Sequence, residues 1–286
     1  MGIVTLITGC SSGFGRVLAE MLAREADHTV YATMRDIAGR NAQAAAELSA
    51  IGGIRVLEMD VASDQSVDRA VAQALAEAGQ LDCVVNNAGF GNFGLTESYT
   101  PDQWMMLFQT NLLGCVRVNR AALPGMRKRR SGLLVHVTSG AGRVAIPYLG
   151  PYVSSKWALE GYAECLRLEL NPFHVDSVVV EPGKYKTEVF AKMFPGADPA
   201  PSAEYGDGDR SANFMKCFIG GLEALNQDPA EVAAKIAELI RMPWESRPFR
   251  TLSGIDVQSL TSYNAAADEI RAMVSAANGV PELNQR

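Results

Sequence analysis

The sequence predicts a doubly wound α/β domain, a parallel sheet of six to seven strands with helices on both faces. Three observations carry that reading. Short apolar runs alternate with longer helical patterns over the first two-thirds of the chain, as successive β-α-β units do. The runs are rich in Val and Ile without polar alternation, which suits strands covered on both sides. A glycine-rich stretch, TGCSSGFG (Thr8 to Gly15), follows the first run directly.

The runs are IVTLIT (3–8), TVYAT (29–33), IRVLEM (54–59), LDCVV (81–85), GLLVHVTS (132–139) and VDSVVV (175–180), with a weaker FRTLS (249–253). Segments long enough for a crossover helix separate the early runs. One repeated unit covers residues 1–183, so 1–286 reads as a single domain. The pattern breaks at 184–227, where Pro195, Pro199, Pro201 and a GDGD stretch interrupt it. Phe190, Met193, Phe194, Phe214 and Phe218 lie in the same segment. A long irregular segment with aromatic content reads as a substrate lid. PAEVAAKIAELIR (229–241) resumes an amphipathic helix with Pro229 near its start, and a helical tail occupies about 255–278. RKRR (127–130) is either a nucleic-acid patch or the C-terminal end of a long helix. Its place just before a turn and a strand favours the helix end, where cations suit the dipole.

Composition narrows the function classes. Of 286 residues, 48% are hydrophobic and 20% charged, ordinary for a globular protein with a sizeable core. The net charge of -6 argues against a nucleic-acid binder, which needs a basic face. Five scattered cysteines without a CxxC pair suggest reduced thiols in a cytoplasmic protein. Three isolated histidines offer no metal-ligand spacing. The first apolar run is too short for a signal peptide, and Leu6 stands where a myristoylation motif needs Ser or Thr. No apolar stretch approaches the roughly 20 residues of a membrane span. The expectation is a small-molecule protein with no metal, membrane or nucleic-acid partner.

The glycines of TGCSSGFG read G-x-x-x-G-x-G, not the G-x-G-x-x-G of the common dinucleotide fingerprint. The strand-to-helix context is still that of a phosphate turn in a Rossmann-type domain. Gly9, Gly13 and Gly15 would let backbone amides approach a phosphate, with Ser11 and Ser12 as hydroxyl donors and Phe14 beside them. A second demand falls about 20 residues on, where an acid serves NAD and a base serves the 2′-phosphate of NADP. There the chain reads ATMRD (32–36): Met34 occupies the acid's position and Arg35 follows. A guanidinium suits a phosphate dianion and can stack on adenine. NADP is therefore favoured over NAD. Asp36 could serve NAD in a shifted register, or cap the next helix.

YVSSK (152–156) sets Tyr152 and Lys156 on one helical face. An ammonium beside a phenol favours the phenolate, which makes the pair a proton donor for a carbonyl oxygen. Ser139 ends the fifth run, at the strand end where such sheets bind ligands, and no G-x-S-x-G elbow surrounds it. NNAG (86–89) ends the fourth run with small residues and amides. TNLLG (110–114) places Asn111 inside the next long helix, where Asn is unfavourable and a polar task is worth considering.

Together these pieces resemble the short-chain dehydrogenase/reductase family. The family's T-G-x-x-x-G-x-G is matched by Thr8, Gly9, Gly13 and Gly15. Asp60-Val61, NNAG at 86–89, Asn111, Ser139, Tyr152 with Lys156, and Pro182-Gly183 followed by Thr187 match in order. The resemblance spans residues 3 to about 190. It implies Tyr152 as the acid/base, and Lys156 assisting its ionisation and holding the nicotinamide ribose. It implies Ser139 polarising the carbonyl and Asn111 supporting a water that links Lys156 to solvent. Asp60 and Val61 would frame the adenine. Asn87, Ala88 and Gly89 would line the adenosine ribose, and Pro182, Gly183 and Thr187 the nicotinamide. Cofactor hydride would go to the carbonyl carbon and the Tyr152 proton to oxygen.

ATMRD resembles the NADP-preferring branch that includes 17β-hydroxysteroid and retinol dehydrogenases. Two departures stand out. Tyr185, in KYKT, occupies a place where a small or apolar residue often touches the carboxamide. RPFRTLSGIDVQ (247–258) lacks the C-terminal pattern of tetrameric members, which leans towards a homodimer. The substrate would meet Ser139, Tyr152, Phe190, Met193 and Phe194. The expected activity is NADP-dependent interconversion of a carbonyl and a secondary alcohol. An NAD-dependent alcohol or polyol dehydrogenase and a nucleotide-sensing module without turnover are the alternatives.

Overall fold

The computed structural model describes residues 2–188, 192–206 and 208–284; Phe190 lies outside them. Seven parallel strands form one sheet in the order β3-β2-β1-β4-β5-β6-β7. The strands are β1 (Ile3–Thr8), β2 (His28–Met34), β3 (Ile54–Glu58), β4 (Cys83–Asn86), β5 (Gly132–Val137), β6 (Val175–Pro182) and β7 (Arg250–Ser253). Every expected run is a strand, the weak last one included. Helices connect them: α1 (Gly13–Leu22), α2 (Ala42–Ser49), α3 (Asp64–Ala78), α4 (Pro101–Asn111), α5 (Leu113–Arg129) and α6 (Gly150–Leu170). After β6 come α7 (Ala200–Tyr205), α8 (Gly208–Leu225) and α9 (Ala230–Arg241), and α10 (Leu260–Ala277) follows β7.

The continuous apolar runs follow from burial on both faces. Successive strand residues point to opposite sides. Ile7, Val30, Val85, Val135 and Val178 meet Leu18, Leu22, Leu48 and Ile236 from α1, α2 and α9. Leu6, Tyr31, Val84 and Leu134 meet Val67, Val71, Val118 and Leu170 from α3, α5 and α6. Helix ends are specified locally. Thr100 and Gln103 form a reciprocal capping box ahead of α4, with Pro101 at its first position. The RKRR run is the last turn of α5, ending in the left-handed Arg130, as expected for a helix terminus.

Two expectations need correction. Asn111 does not lie inside a continuous helix: it ends α4, and the chain breaks at Leu112 before α5 begins. Residues 184–227 are not irregular throughout, since α7 and α8 occupy much of the segment. The helix α8 forms despite its glycines because Phe214, Phe218 and Leu222 recur at helical spacing, with the aromatic pair stacked on each other.

A buried ionic network ties α6, β6, β7 and α10 together. The Arg250 side chain, almost fully buried, lies 3.2 Å from Glu160, 2.9 Å from Glu164, 3.1 Å from Asp268 and 3.7 Å from Glu181. Arg143 pairs with Glu181 at 3.4 Å, and Arg271 with Glu164 and Asp268. Four carboxylates thus share three guanidiniums. Burial, then the neighbouring Glu160 carboxylate, pushes Glu181 from 4.5 up to about 7. Between those values the unfolded chain has released the proton that the folded chain keeps. Stability therefore falls as pH rises through that window, and the loss is complete above it. Glu181→Gln should flatten this dependence. Melting temperatures compared at about pH 5 and about pH 8 should converge in the variant; an unchanged slope would show that another group carries it.

Candidate active site

The order of strands reverses between β1 and β4, which opens a crevice at their carboxyl ends. The glycine stretch lies there. Gly9 has φ 75, and a Cβ on it would lie 2.9 Å from the Cα of Ala88. A Cβ at Gly15 would collide with Nδ2 of Asn87. Larger residues at either position would force the turn away from β4. Thr8 holds the two strand ends together: its hydroxyl oxygen accepts from the backbone N–H groups of Asn87 (3.0 Å) and Ala88 (2.9 Å). The Asn87 amide donates back to the carbonyls of Thr8 (2.9 Å) and Gly9 (3.2 Å). Asn87 and Ala88 thus shape the turn from behind. Ser12 stands at the N-cap of α1 without a side-chain bond to the first turn. The helix's first N–H groups remain for a phosphate. Ser12 accepts instead from Lys192 Nζ at 2.9 Å. Thr187 lies across the turn, 3.9 Å from where a Gly13 Cβ would be.

The ends of β2 and β3 carry the residues expected on the adenine side. Met34 is buried, while Arg35 is exposed, and its guanidinium makes no hydrogen bond or ion pair among the described residues. Asp36 adopts φ 51 and its carboxylate accepts from the Arg40 N–H at 3.0 Å. It therefore caps its own turn, not α2, whose N-cap is Asn41. Asp60 accepts from the Ala62 N–H, and Val61 is buried against Gly114.

The catalytic candidates meet on the opposite side. Asn111, 1% exposed, donates to Ser155 Oγ and to the Phe90 carbonyl, both at 3.0 Å, and accepts from Phe90 N at 3.1 Å. The break at Leu112 lets this side chain reach both the loop after β4 and α6. Lys156, 5% exposed, donates to the Val137 carbonyl at 2.9 Å, with its Nζ 5.7 Å from the Tyr152 ring centre. A Cβ at Gly89 would stand 3.2 Å from Asn111 Oδ1 and 3.7 Å from Lys156 Nζ, so Gly89 keeps that corner open. Ser139 caps the 3-10 turn Gly140–Gly142, accepting from Ala141 N at 3.1 Å, and that turn packs on α6.

Sequence reasoning passed over Asn92. It is fully buried, and its Oδ1 accepts from the backbone N–H of Tyr152 at 2.9 Å. It fastens the first turn of α6 to the loop after β4. Its only sequence signal is an Asn between glycines and phenylalanines, in FGNFG (90–94).

Among the residues expected to line the nicotinamide, Pro182 ends β6 and Gly183 N donates to the Ser253 carbonyl at 2.8 Å. The Tyr185 side chain requires a correction. Its ring is buried in the core, edge-on to Phe14 at 5.6 Å. Its hydroxyl donates to Glu231 at 2.9 Å and bonds Ser253 Oγ at 2.9 Å, and burial pushes its pKa to about 12. Only its main chain is left to face a cofactor. Phe14 likewise serves packing.

An aromatic wall borders Tyr152. Gly91 separates Tyr152 from Met193, a Cβ there lying 3.3 Å from Met193 and 3.6 Å from the Tyr152 ring. Phe194 packs on Phe90 and Tyr99, each at 5.8 Å. Phe214 packs on Phe93 at 6.2 Å and on Tyr148 at 5.2 Å. Phe90, Phe93 and Tyr148 come from loops that sequence reasoning left without a role.

A family model described as short chain dehydrogenase matches residues 3–198. The chain belongs to the short-chain dehydrogenase family. It is 35% identical over 263 residues to a 3-ketodihydrosphingosine reductase of Bacteroides thetaiotaomicron, covering 90% of each chain. It is 36% identical over 270 residues to human retinol dehydrogenase 8, covering 90% of this chain and 83% of that one. The crystal structure of a short-chain dehydrogenase from Streptomyces avermitilis superposes with a TM-score of 0.76 at 29% identity, over 98% of each chain. As a short-chain dehydrogenase, this protein is an NAD(P)-dependent oxidoreductase acting between carbonyls and alcohols. The glycine cradle and the uncapped start of α1 fit such a dinucleotide. Among the described residues, no group of His, Cys, Asp and Glu could hold a metal, and no helix is long and apolar enough to cross a membrane.

Asn92→Ala should leave the Tyr152 N–H without its acceptor and cost roughly 1–3 kcal/mol. Thermal unfolding reads this directly; a melting temperature equal to wild type would remove Asn92 from the anchoring of α6.

Proposed function

We propose that this chain is an NADP-dependent reductase of apolar ketones, or the corresponding secondary-alcohol dehydrogenase, with Tyr152 as its acid/base. The observation that carries the reading is the grouping of Tyr152, Lys156 and Asn111 around Gly89 beside the glycine turn, with Ser139 at the end of β5 two residues after the Val137 that Lys156 holds. Bound, the nicotinamide supplies or accepts the hydride at the substrate carbon. The protein's part is to hold the carbonyl and move the proton.

The Tyr152 phenol and the Ser139 hydroxyl are both donors to a carbonyl oxygen, and negative charge developing there strengthens both bonds. Tyr152 then gives up its proton to that oxygen. Lys156 spends one N–H on Val137 and keeps two for a ribose and for Tyr152. Asn111 positions that lysine's surroundings through Ser155 and Phe90, supporting a water on the way to solvent. Gly9, Ser11, Ser12, Gly13 and Gly15 would hold the phosphates. Asp60 and Val61 would frame the adenine, and Asn87, Ala88 and Gly89 the adenosine ribose. Pro182, Gly183, Thr187 and the Tyr185 main chain would line the nicotinamide.

NADP is favoured because the exposed Arg35 guanidinium has no hydrogen bond or ion pair among the described residues, whereas Asp36 is engaged with its own turn. A free guanidinium beside a buried Met34 suits a 2′-phosphate better than a ribose hydroxyl pair. The substrate class follows from the wall of Phe90, Phe93, Tyr148, Phe194 and Phe214, with Met193 against Gly91. Residues 1–286 then form one domain with 184–227 as the lid and 255–278 as a tail, assembled as a homodimer. Scattered unpaired cysteines fit a reducing, cytoplasmic setting.

Tyr152→Phe should cut turnover by about a hundredfold or more, the scale of a lost general acid, while cofactor titration changes little. Substantial residual turnover would sink the assigned chemistry. Arg35→Asp should weaken NADP binding far more than NAD binding in fluorescence titrations. Equal weakening would withdraw the cofactor preference.

A further inference from the structure

The segment proposed as the lid, residues 184–227, starts and ends at one place, beside the turn that follows β7. Asp256 Oδ2 accepts from the backbone N–H of Lys184 at 3.0 Å. Gln227 Nε2 donates to the Lys184 carbonyl and to Asp256 Oδ1, each at 3.0 Å. Gln227 Oε1 accepts from the backbone N–H of Ile255 at 2.6 Å. Two glycines make room for this junction. A Cβ on Gly183 would collide with the Asp256 carboxylate. Gly254 has φ 106, and a Cβ on it would lie 3.0 Å from Gln227 Oε1 and 3.1 Å from Asp256 Oδ1. The next helix does not need Gln227, because Asp228 serves its start by accepting from the Ala230 N–H at 2.9 Å.

The junction reaches both parts of the proposed site. On one side, Lys184 stands between Gly183, whose N–H is held by the Ser253 carbonyl, and Tyr185, whose hydroxyl is held by Glu231 and Ser253. The main chain expected to meet the nicotinamide is thus fixed at three successive residues. On the other side, the Lys184 ammonium lies 5.2 Å from the ring centre of Phe218 on α8. Phe218 stacks on Phe214, which packs on Phe93 and Tyr148 of the aromatic wall. Asp256 is exposed and Gln227 half-buried. Bonds so open to water contribute little to overall stability. Their effect is local, on where the chain around Gly183 is held.

We propose that Asp256 and Gln227 form a clasp that gathers both ends of the lid at the nicotinamide turn and sets that turn for hydride transfer. This rests on the proposed reading of the chain as a nicotinamide-dependent reductase. Both are positioning residues, acting through the main chain of Gly183 and Lys184. Hydride transfer needs the two carbons brought to about 3–3.5 Å, and a misplacement of about 1 Å can cost a hundredfold. Phosphate binding at the glycine turn makes no such demand of residues 183–185. Loosening the clasp therefore costs rate and the hold on the nicotinamide half, and spares the adenosine half.

Gln227→Glu sets two carboxylates against each other and opens the clasp. Single-turnover hydride transfer should fall by about tenfold or more, within the range for a misplaced reactant. NADPH should bind about tenfold more weakly in fluorescence titrations, while adenosine 2′,5′-bisphosphate, which lacks the nicotinamide half, binds as it does to wild type. Melting temperature should move little. Asp256→Asn added to Gln227→Glu exchanges donor and acceptor across the junction and should restore most of both losses. Asp256→Ala removes the acceptor without adding charge; it should show the same split and covers the case in which Gln227→Glu does not fold. Equal weakening of NADPH and of the fragment, a wild-type hydride rate in both single variants, or no recovery in the double variant would overturn the clasp. The binding comparison needs no turnover, so failure of the clasp is distinguishable from failure of the acid assignment at Tyr152. NADH with ADP-ribose repeats it independently of the NADP preference.

Discussion

Lys156 carries an ammonium into the interior with one peptide carbonyl, that of Val137 at 2.9 Å, as its protein partner. Among the described residues no carboxylate lies within ion-pair distance of it. A charge in that position is tolerable only among groups that can solvate it. Much of the surrounding structure answers to that constraint. Gly89 leaves room beside the ammonium, and Asn111 turns in from the end of α4 because the helix breaks at Leu112. Ser155, one residue before the lysine, accepts from Asn111 and so fixes α6 against α4. Asn92 fixes the start of α6 at Tyr152, and the Arg250 network fixes its middle at Glu160 and Glu164.

The same constraint explains the division of labour across the crevice. On the β1 side lies the glycine turn with its backbone amides, held against β4 by Thr8 and Asn87. On the β5 and α6 side, side chains with ionisable or hydroxyl protons converge. The reversal of strand order between β1 and β4 puts the glycine turn on one side of the crevice and Lys156 with Tyr152 on the other, and Gly91 sets the Tyr152 ring beside Met193.

Much of the fold was legible because burial on both faces leaves an unmistakable apolar run, and even FRTLS at the edge proved a strand. The pairing of Tyr152 with Lys156 was legible for a chemical reason, since residues four apart on a helix share a face whatever the tertiary contacts. Features decided by distant partners were not legible. Tyr185 looked like a cofactor contact until Glu231 and Ser253, remote in sequence, claimed its hydroxyl. Asn92 matters through bonds to backbone nearly sixty residues on, at Tyr148 and Tyr152. Proline and glycine at 195–209 read as irregular, although Phe214, Phe218 and Leu222 carried a helical repeat that finds its partners in Phe93 and Tyr148.

The most direct measurement is absorbance at the reduced-nicotinamide band while the purified protein is offered apolar ketones and secondary alcohols with each cofactor. Ketone-dependent oxidation of NADPH, faster than that of NADH, is the expected result. No change with any carbonyl or alcohol, or a clear preference for NADH, would contradict it.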